Sequence, residues 1–142
     1  MFSATVRWGK RARCWKTRVF RVTQAPAGRA LGYEMSFKPD RDTRIAHLPV
    51  GYGHGYPRAL SNLGQVLIKG QRAPVVGLVG MESMMVDVGH IPGQLEGLEA
   101  TLIGHQGPER ISAAELASKI GLFGVMITCG IKEKVERVFL GA

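Results

Sequence analysis

What most constrains this chain is the shortness of its apolar runs. Gln65–Ile68 and Ala73–Val79 are separated only by Lys69-Gly70-Gln71-Arg72. Runs that short cannot carry a helical stripe, and a glycine-containing polar link between two β-branched runs is a hairpin signal. Met84–Val88 and Ala100–Ile103 continue the pattern, divided by Pro92-Gly93. Upstream, Cys14–Val22 alternates, with Trp15, Thr17 and Val19 on one face and Arg18, Phe20 and Val22 on the other. That is the period of a strand. Ala25–Gly28 reads as a turn, Ala30–Phe37 as a second strand, Lys38–Asp42 as polar loop and Arg44–Val50 as a third strand. Strands at this spacing point to a small all-β barrel or sandwich. The period changes at Ser112-Ala113-Ala114-Glu115, a capping box opening a helix to about Ile120, with Gly121 as its stop. Phe123–Cys129 fits strand or helix equally, and Val135–Leu140 reads as a closing strand.

At 142 residues the chain suits one domain, expected over 14–142 and preceded by a loose basic arm, 1–13, in which no period is visible. The net charge of +8 is confined to one end. Residues 1–33 hold Arg7, Lys10, Arg11, Arg13, Lys16, Arg18, Arg21 and Arg29 and no acid, while the remainder carries 11 basic and 11 acidic groups. A neutral body argues against a broad phosphate-binding face, so nucleic acid is not the expected partner. No apolar run reaches the ~20 residues of a membrane span. Cys14 and Cys129 are too few for a disulfide framework, and a reducing, cytoplasmic setting is expected.

One stretch stands apart, Val50–Asn62, reading VGYGHGYPRALSN. Its glycines, with Pro57, suit neither helix nor central strand, and a compact loop carrying Tyr52, His54, Tyr56 and Arg58 is a place where a scaffold presents function. Composition alone also allows an ordinary connection with one packed aromatic. Tyr33, after Gly32, could pack or act as an acid or base, for which its ordinary pKa of about 10 needs help. Met81 lies in Gly80-Met81-Glu82-Ser83, a break between two strand patterns. His47, His54, His90 and His105 lack the spacing of a helical metal pair, so no metal is expected. Ser61, Ser83 and Ser112 lack a nucleophile-elbow context, and no phosphate loop of the Walker kind is present.

The order of the pieces is more specific than any one of them. VGYGHGYPRALSN, then Val66-LIKGQRAPVVGLVGMESMMVDV, then Glu109-RISAAELASKIG, then Cys129-GIKEKVERVFL resemble the C-terminal domain of bacterial alanine racemase. Trp15-KTRVFRV, Pro26-AG and Gly32-Tyr33 fit the start of that domain, so the resemblance spans about Trp15–Leu140 with almost no gaps.

The resemblance implies a closed, Greek-key-like, six-stranded barrel carrying the Ser112–Ile120 helix. It implies an enzyme whose N-terminal (β/α)₈ barrel holds pyridoxal phosphate on a lysine. Two chains pair head to tail, each β domain completing the partner's site for a small amino acid, to supply D-alanine for cell-wall precursors. Tyr33 matches the acid/base tyrosine, Met81 the methionine beside the substrate carboxylate, and Tyr52 and Arg58 the residues at the pocket entrance. Five places depart from the family pattern. Its Ala-Asp-Gly is Gly53-His54-Gly55 here, and its Cys-Met-Asp-Gln is Gly80-Met81-Glu82-Ser83. The arginine before that motif is Leu78, Asn-Tyr-Glu is Gly124-Val125-Met126, and the last proline is Glu136. These 142 residues supply no (β/α)₈ barrel, so the chain alone is expected neither to bind the cofactor nor to racemise. A competing expectation is a β-barrel binding module that uses its basic arm on an anionic partner.

Overall fold

The computed structural model describes residues 4–9 and 12–139. Its strands are β1 (Thr5–Gly9), β2 (Ala12–Arg18), β3 (Arg21–Ala25), β4 (Thr43–Leu48), β5 (Gln65–Ile68), β6 (Gln71–Val76), β7 (Met84–Asp87), β8 (Glu99–Gln106), β9 (Glu109–Ile111) and β10 (Glu136–Phe139). Two short helices, α1 (Ala113–Ser118) and α2 (Gly124–Cys129), complete a mainly β fold.

The hydrogen-bonded path runs β10-β1-β2-β8-β5-β6-β7-β4-β3, with β9 paired to β8. Two corners bend it. β6 pairs with β5 through Gln71–Pro74 and with β7 through Val75–Val76. β2 passes into β3 across Val19–Phe20, where Val19 N–H donates to the Leu98 carbonyl and Phe20 N–H to that of His47. Consecutive residues thus serve neighbours on opposite sides, as a strand does when it changes sheets. The expected six-stranded barrel survives as the run β2/β3, β4, β7, β6, β5 and β8. Hydrogen bonds do not close the ring among the described residues; the chain itself turns that corner.

The expected strand Cys14–Val22 is divided at Val19–Phe20 between β2 and β3. Its alternation holds from Trp15 to Phe20, with Trp15, Thr17 and Val19 buried and Arg18 and Phe20 exposed. Val22, expected on the outer face, is half-buried against the core. Lys69 (φ 52) and Gly70 (φ 73) make the two-residue turn of the β5–β6 hairpin, both left-handed as that turn type requires. Thr5–Gly9, where sequence predicts an arm, is a strand held by β2 on one edge and β10 on the other. The expected second strand, Ala30–Phe37, is not one. Leu31 and Phe37 form an isolated bridge around a 3-10 turn, Tyr33–Met35. Positive φ at Gly32, Glu34 and Met35 folds the chain back on itself there, which extended backbone cannot do.

Ser112 caps α1, its Oγ accepting from Glu115 N–H at 3.0 Å. The Glu115 carboxylate does not close the capping box. It accepts from the two terminal guanidinium nitrogens of Arg72, at 2.6 and 3.0 Å, tying α1 to the β5–β6 hairpin. The undecided run Phe123–Cys129 gives α2, whose Ile127 and Thr128 are buried while Val125 and Met126 stay exposed. Gly124 makes that packing possible, since a Cβ there would meet the Ala114 nitrogen at 3.0 Å.

Leu48, Leu60, Leu67 and Leu102 are fully buried in the main core, each contributing about 1.5–3 kcal/mol. Trp15 and Tyr56 meet there, ring centroids 6.0 Å apart, so the glycine-rich loop is anchored against β2 by its second tyrosine.

Candidate functional site

The loop Val50–Asn62 is clamped from two sides. Tyr52 N–H donates to the Gly80 carbonyl at 2.9 Å and Gly53 N–H to that of Met81 at 2.8 Å. On the other side, Lys132 N–H donates to the His54 carbonyl at 3.0 Å. Such approach explains the glycines. A Cβ on Gly51 would lie 2.0 Å from the Gly80 oxygen, and one on Gly55 (φ +102) 2.2 Å from the Gly130 oxygen.

The same loop fixes the segment before Met81. Ser61 Oγ accepts from Val79 N–H at 2.8 Å and Asn62 Oδ1 from Gly77 N–H at 2.7 Å. Ser36, just past the Tyr33–Met35 turn, accepts from Leu78 N–H at 2.9 Å. Three short polar side chains therefore satisfy the backbone of Gly77–Val79, which has no strand partner for those donors. Sequence reasoning passed over Ser36, weighed Ser61 only as a nucleophile and gave Asn62 no role of its own. The available signal was Asn62, a residue type that tolerates left-handed backbone (φ 60) and accepts from a neighbouring loop.

These clamps bring expected site residues together. Tyr52, Arg58 and Met81 line one open concavity of about 450 Å³ with Glu34, Leu78, Val79 and Gly80. Tyr52 and Met81 are 40% and 55% exposed, so their apolar surface faces outward instead of packing. A neighbouring concavity of about 350 Å³ shares Leu78 and Gly80 and continues past Gly32, His47 and Ser83. Tyr33 heads the turn that supplies Glu34; its side chain lies outside the described atoms. The loop's two tyrosines have opposite fates. Tyr56 is buried, its hydroxyl without a partner among the described residues, and burial pushes its pKa far up. It packs, and Tyr52 is presented.

His54, where the family pattern has an acid, closes the loop on itself. Gly51 N–H donates to His54 Nδ1 at 3.1 Å. A backbone amide can only donate, so Nδ1 keeps its lone pair and the ring is neutral, with hydrogen on Nε2. Its pKa lies below the ordinary value, lowered first by burial and then by the Lys134 cation, with Glu82 opposing. His47 is also lowered, by burial and then by Arg21, while its Nε2 lies 3.0 Å from Thr23 Oγ1. The histidines thus hold backbone and hydroxyl groups. Among the described residues, no helix is long and apolar enough to cross a membrane.

Comparison with known proteins places this arrangement. The family described as "Alanine racemase, C-terminal domain" matches residues 12–139. The alanine racemase of Halothermothrix orenii is 44% identical over 125 residues, covering 88% of this chain and 33% of that protein. A broad specificity amino-acid racemase of Vibrio vulnificus is 48% identical over 102 residues, covering 72% of this chain and 25% of that protein. Among solved structures, the alanine racemase of Bacillus anthracis superposes with a TM-score of 0.85 at 32% identity, covering 92% of this chain and 33% of that one. The chain spans about a third of the length of the alanine racemases it matches. With the family matched from β2 to β10, and with the clamped loop and open concavity within that span, the chain belongs to the alanine racemase C-terminal domain family.

Proposed function

We propose that this chain forms the half-site of a pyridoxal phosphate-dependent amino-acid racemase, with Tyr33 as one acid/base and Tyr52, Arg58 and Met81 at the pocket rim. The observation that carries this reading is the clamp itself. Tyr52 N–H to Gly80 and Gly53 N–H to Met81 hold an exposed tyrosine, an arginine and a methionine around one open concavity beside the Tyr33 turn.

Racemisation needs two proton-transfer groups on opposite faces of one carbon, because a single base returning its own proton favours retention. A tyrosine on a turn braced by Ser36 is suited to serve one face, and the exposed Tyr52 and Met81 to close the pocket against water. Arg58 supplies a cation for a carboxylate. Pyridoxal phosphate, when bound, supplies the electron sink that makes the α-carbon acidic. No lysine lines either of the two concavities described. The residues present therefore fit a cover over a cofactor held elsewhere, not its covalent anchor.

Exposed apolar side chains support docking to a cofactor-holding domain. Met35, Leu122, Phe123, Val125 and Met126 are all exposed, with Phe123 at 74% and Met35 at 76%. Head-to-tail pairing, the domain limits 14–142, a cytoplasmic setting and a role in D-alanine supply follow from the family and belong to the same proposal. Relatives named for alanine and for broad specificity both match, so the substrate class is an α-amino acid. The alternative, a basic arm gripping an anion, draws less support, because Thr5–Gly9 is built into the sheet.

The test is reconstitution with a separately produced cofactor domain of a relative. Turnover should appear only with both parts, and Tyr33→Phe should lower it by about 10²–10⁴-fold, the range for loss of one acid/base group. Full turnover by the Tyr33→Phe variant would refute the assignment.

A further inference from the structure

The basic excess of residues 1–33 lines neither concavity described above, yet the fold gathers three of its cations at one place. In the β1–β2 pairing Thr5 stands opposite Lys16, and Arg7, two residues on, shares their face. In the β2–β8 pairing Arg18 stands opposite Glu99. The alternate residues Val6, Trp15 and Thr17 are buried, so Arg7, Lys16 and Arg18 lie on the outer face of neighbouring strands. With Thr5 and Glu99 they line a small concavity of about 70 Å³. A sheet face, not a loose arm, presents them.

Two of the three cations are tethered. Lys16 Nζ donates to Glu99 Oε1 at 2.6 Å, and Arg18 Nη1 donates to the Gly97 carbonyl at 2.9 Å. Arg7 is exposed, and among the described residues neither it nor Arg18 has a carboxylate partner. Three cations against the one carboxylate of Glu99 leave the concavity doubly positive. Both tethered groups keep N–H donors to spare, since an ammonium has three and a guanidinium five. Cations already held in place lose little freedom when an anion arrives. A water molecule takes about 30 Å³, so the space suits one tetrahedral oxyanion and little more. Arg7 stands on β1, before the span 12–139 that the family matches, so the third cation lies outside the family pattern.

We infer that this face of β1, β2 and β8 binds a phosphate-sized oxyanion, free or as the phosphoryl end of a small ester, with Arg7, Lys16 and Arg18 as its ligands. A phosphoryl group carries about 1.5 to 2 negative charges near pH 7, matching the unbalanced positive charge. The inference stands on this face alone and holds whether or not the pocket serves a racemase.

The test titrates the 15N-labelled 142-residue chain with inorganic phosphate, with glycerol 3-phosphate and with chloride, all at one ionic strength. A phosphate compound should shift the amides of Arg7, Lys16 and Arg18 with a dissociation constant of about 1–10 mM, as three part-exposed charge contacts allow, and chloride should not. The tighter of the two phosphate compounds tells a free ion from an ester. Arg7→Gln should weaken binding by up to about fivefold, the loss of one exposed charge pair, and Arg18→Gln should do the same. Arg7→Lys should keep most of the affinity. Amides of Tyr52 and Met81 that stay unmoved in the variants show that the fold is intact. Shifts that chloride reproduces, no saturable shift with either phosphate compound, or an affinity unchanged when Arg7→Gln and Arg18→Gln are combined would each overturn the inference.

Discussion

Gly51→Ala isolates what the glycine-rich loop does. Gly51 has φ −154 and ψ −161, extended backbone that alanine adopts freely, so no conformational penalty attaches to the change. The whole effect is steric. The new methyl would lie 2.0 Å from the Gly80 oxygen and 2.8 Å from the carbonyl carbon and oxygen of Met81. These are backbone atoms, so no side-chain rotation relieves the overlap. The two segments must separate by more than an ångström, breaking Tyr52 N–H to Gly80 and Gly53 N–H to Met81. Two buried-edge hydrogen bonds at about 1 kcal/mol each, with about 1–3 kcal/mol for overpacking, give a loss of roughly 3–5 kcal/mol. For a domain of this size that is a fall in melting temperature of roughly 10–20 °C. Gly121→Ala is the control. Its φ of +71 is left-handed but the space around it is open, so it should lose only about 1 kcal/mol. Thermal unfolding by circular dichroism measures both, and amide shifts at Gly80 and Met81 report the local separation. A Gly51→Ala variant melting within about 2 °C of the parent, with those amides unmoved, would refute the claim that this approach fixes Tyr52 against Met81.

Other perturbations test other parts of the frame. Tyr56→Phe removes a buried hydroxyl that has no partner among the described residues while keeping the ring against Trp15, so stability should be unchanged or rise by up to about 1 kcal/mol; a loss beyond about 1 kcal/mol in denaturant titration would show that the hydroxyl is satisfied. His54 and His47 both have pKa values lowered by folding, so the unfolded chain takes up protons first. Their contribution is complete above about pH 6.5 and falls as the pH drops from there towards the lowered folded values. Urea midpoints at pH 7.5 and pH 5 should show the decline, and His54→Asn should remove part of it; an equal decline in the variant would exclude His54.

The sequence alone determined the features that depend on neighbours along the chain. Alternation put Trp15, Thr17 and Val19 inward, the glycine in the Lys69–Arg72 link signalled a hairpin, though only Lys69-Gly70 proved to be its turn, and Ser112 was legible as a helix cap. Motif order from Val50 to Leu140 carried the family, because a run of spaced motifs survives changes such as Asp to His54. Tertiary structure decided whatever depended on residues far apart. Nothing local distinguishes Tyr52 from Tyr56; the first is exposed against Gly80–Met81 and the second buried against Trp15. Thr5–Gly9 has no period of its own and becomes a strand because β2 and β10 flank it. Ala30–Phe37 reads as extended, yet its left-handed residues turn it back, and Ser36 is bound by Leu78 across the fold. The glycines of the opening loop were legible as unusual. Their reason, three backbone segments brought closer than a Cβ allows, exists only once the chain has folded.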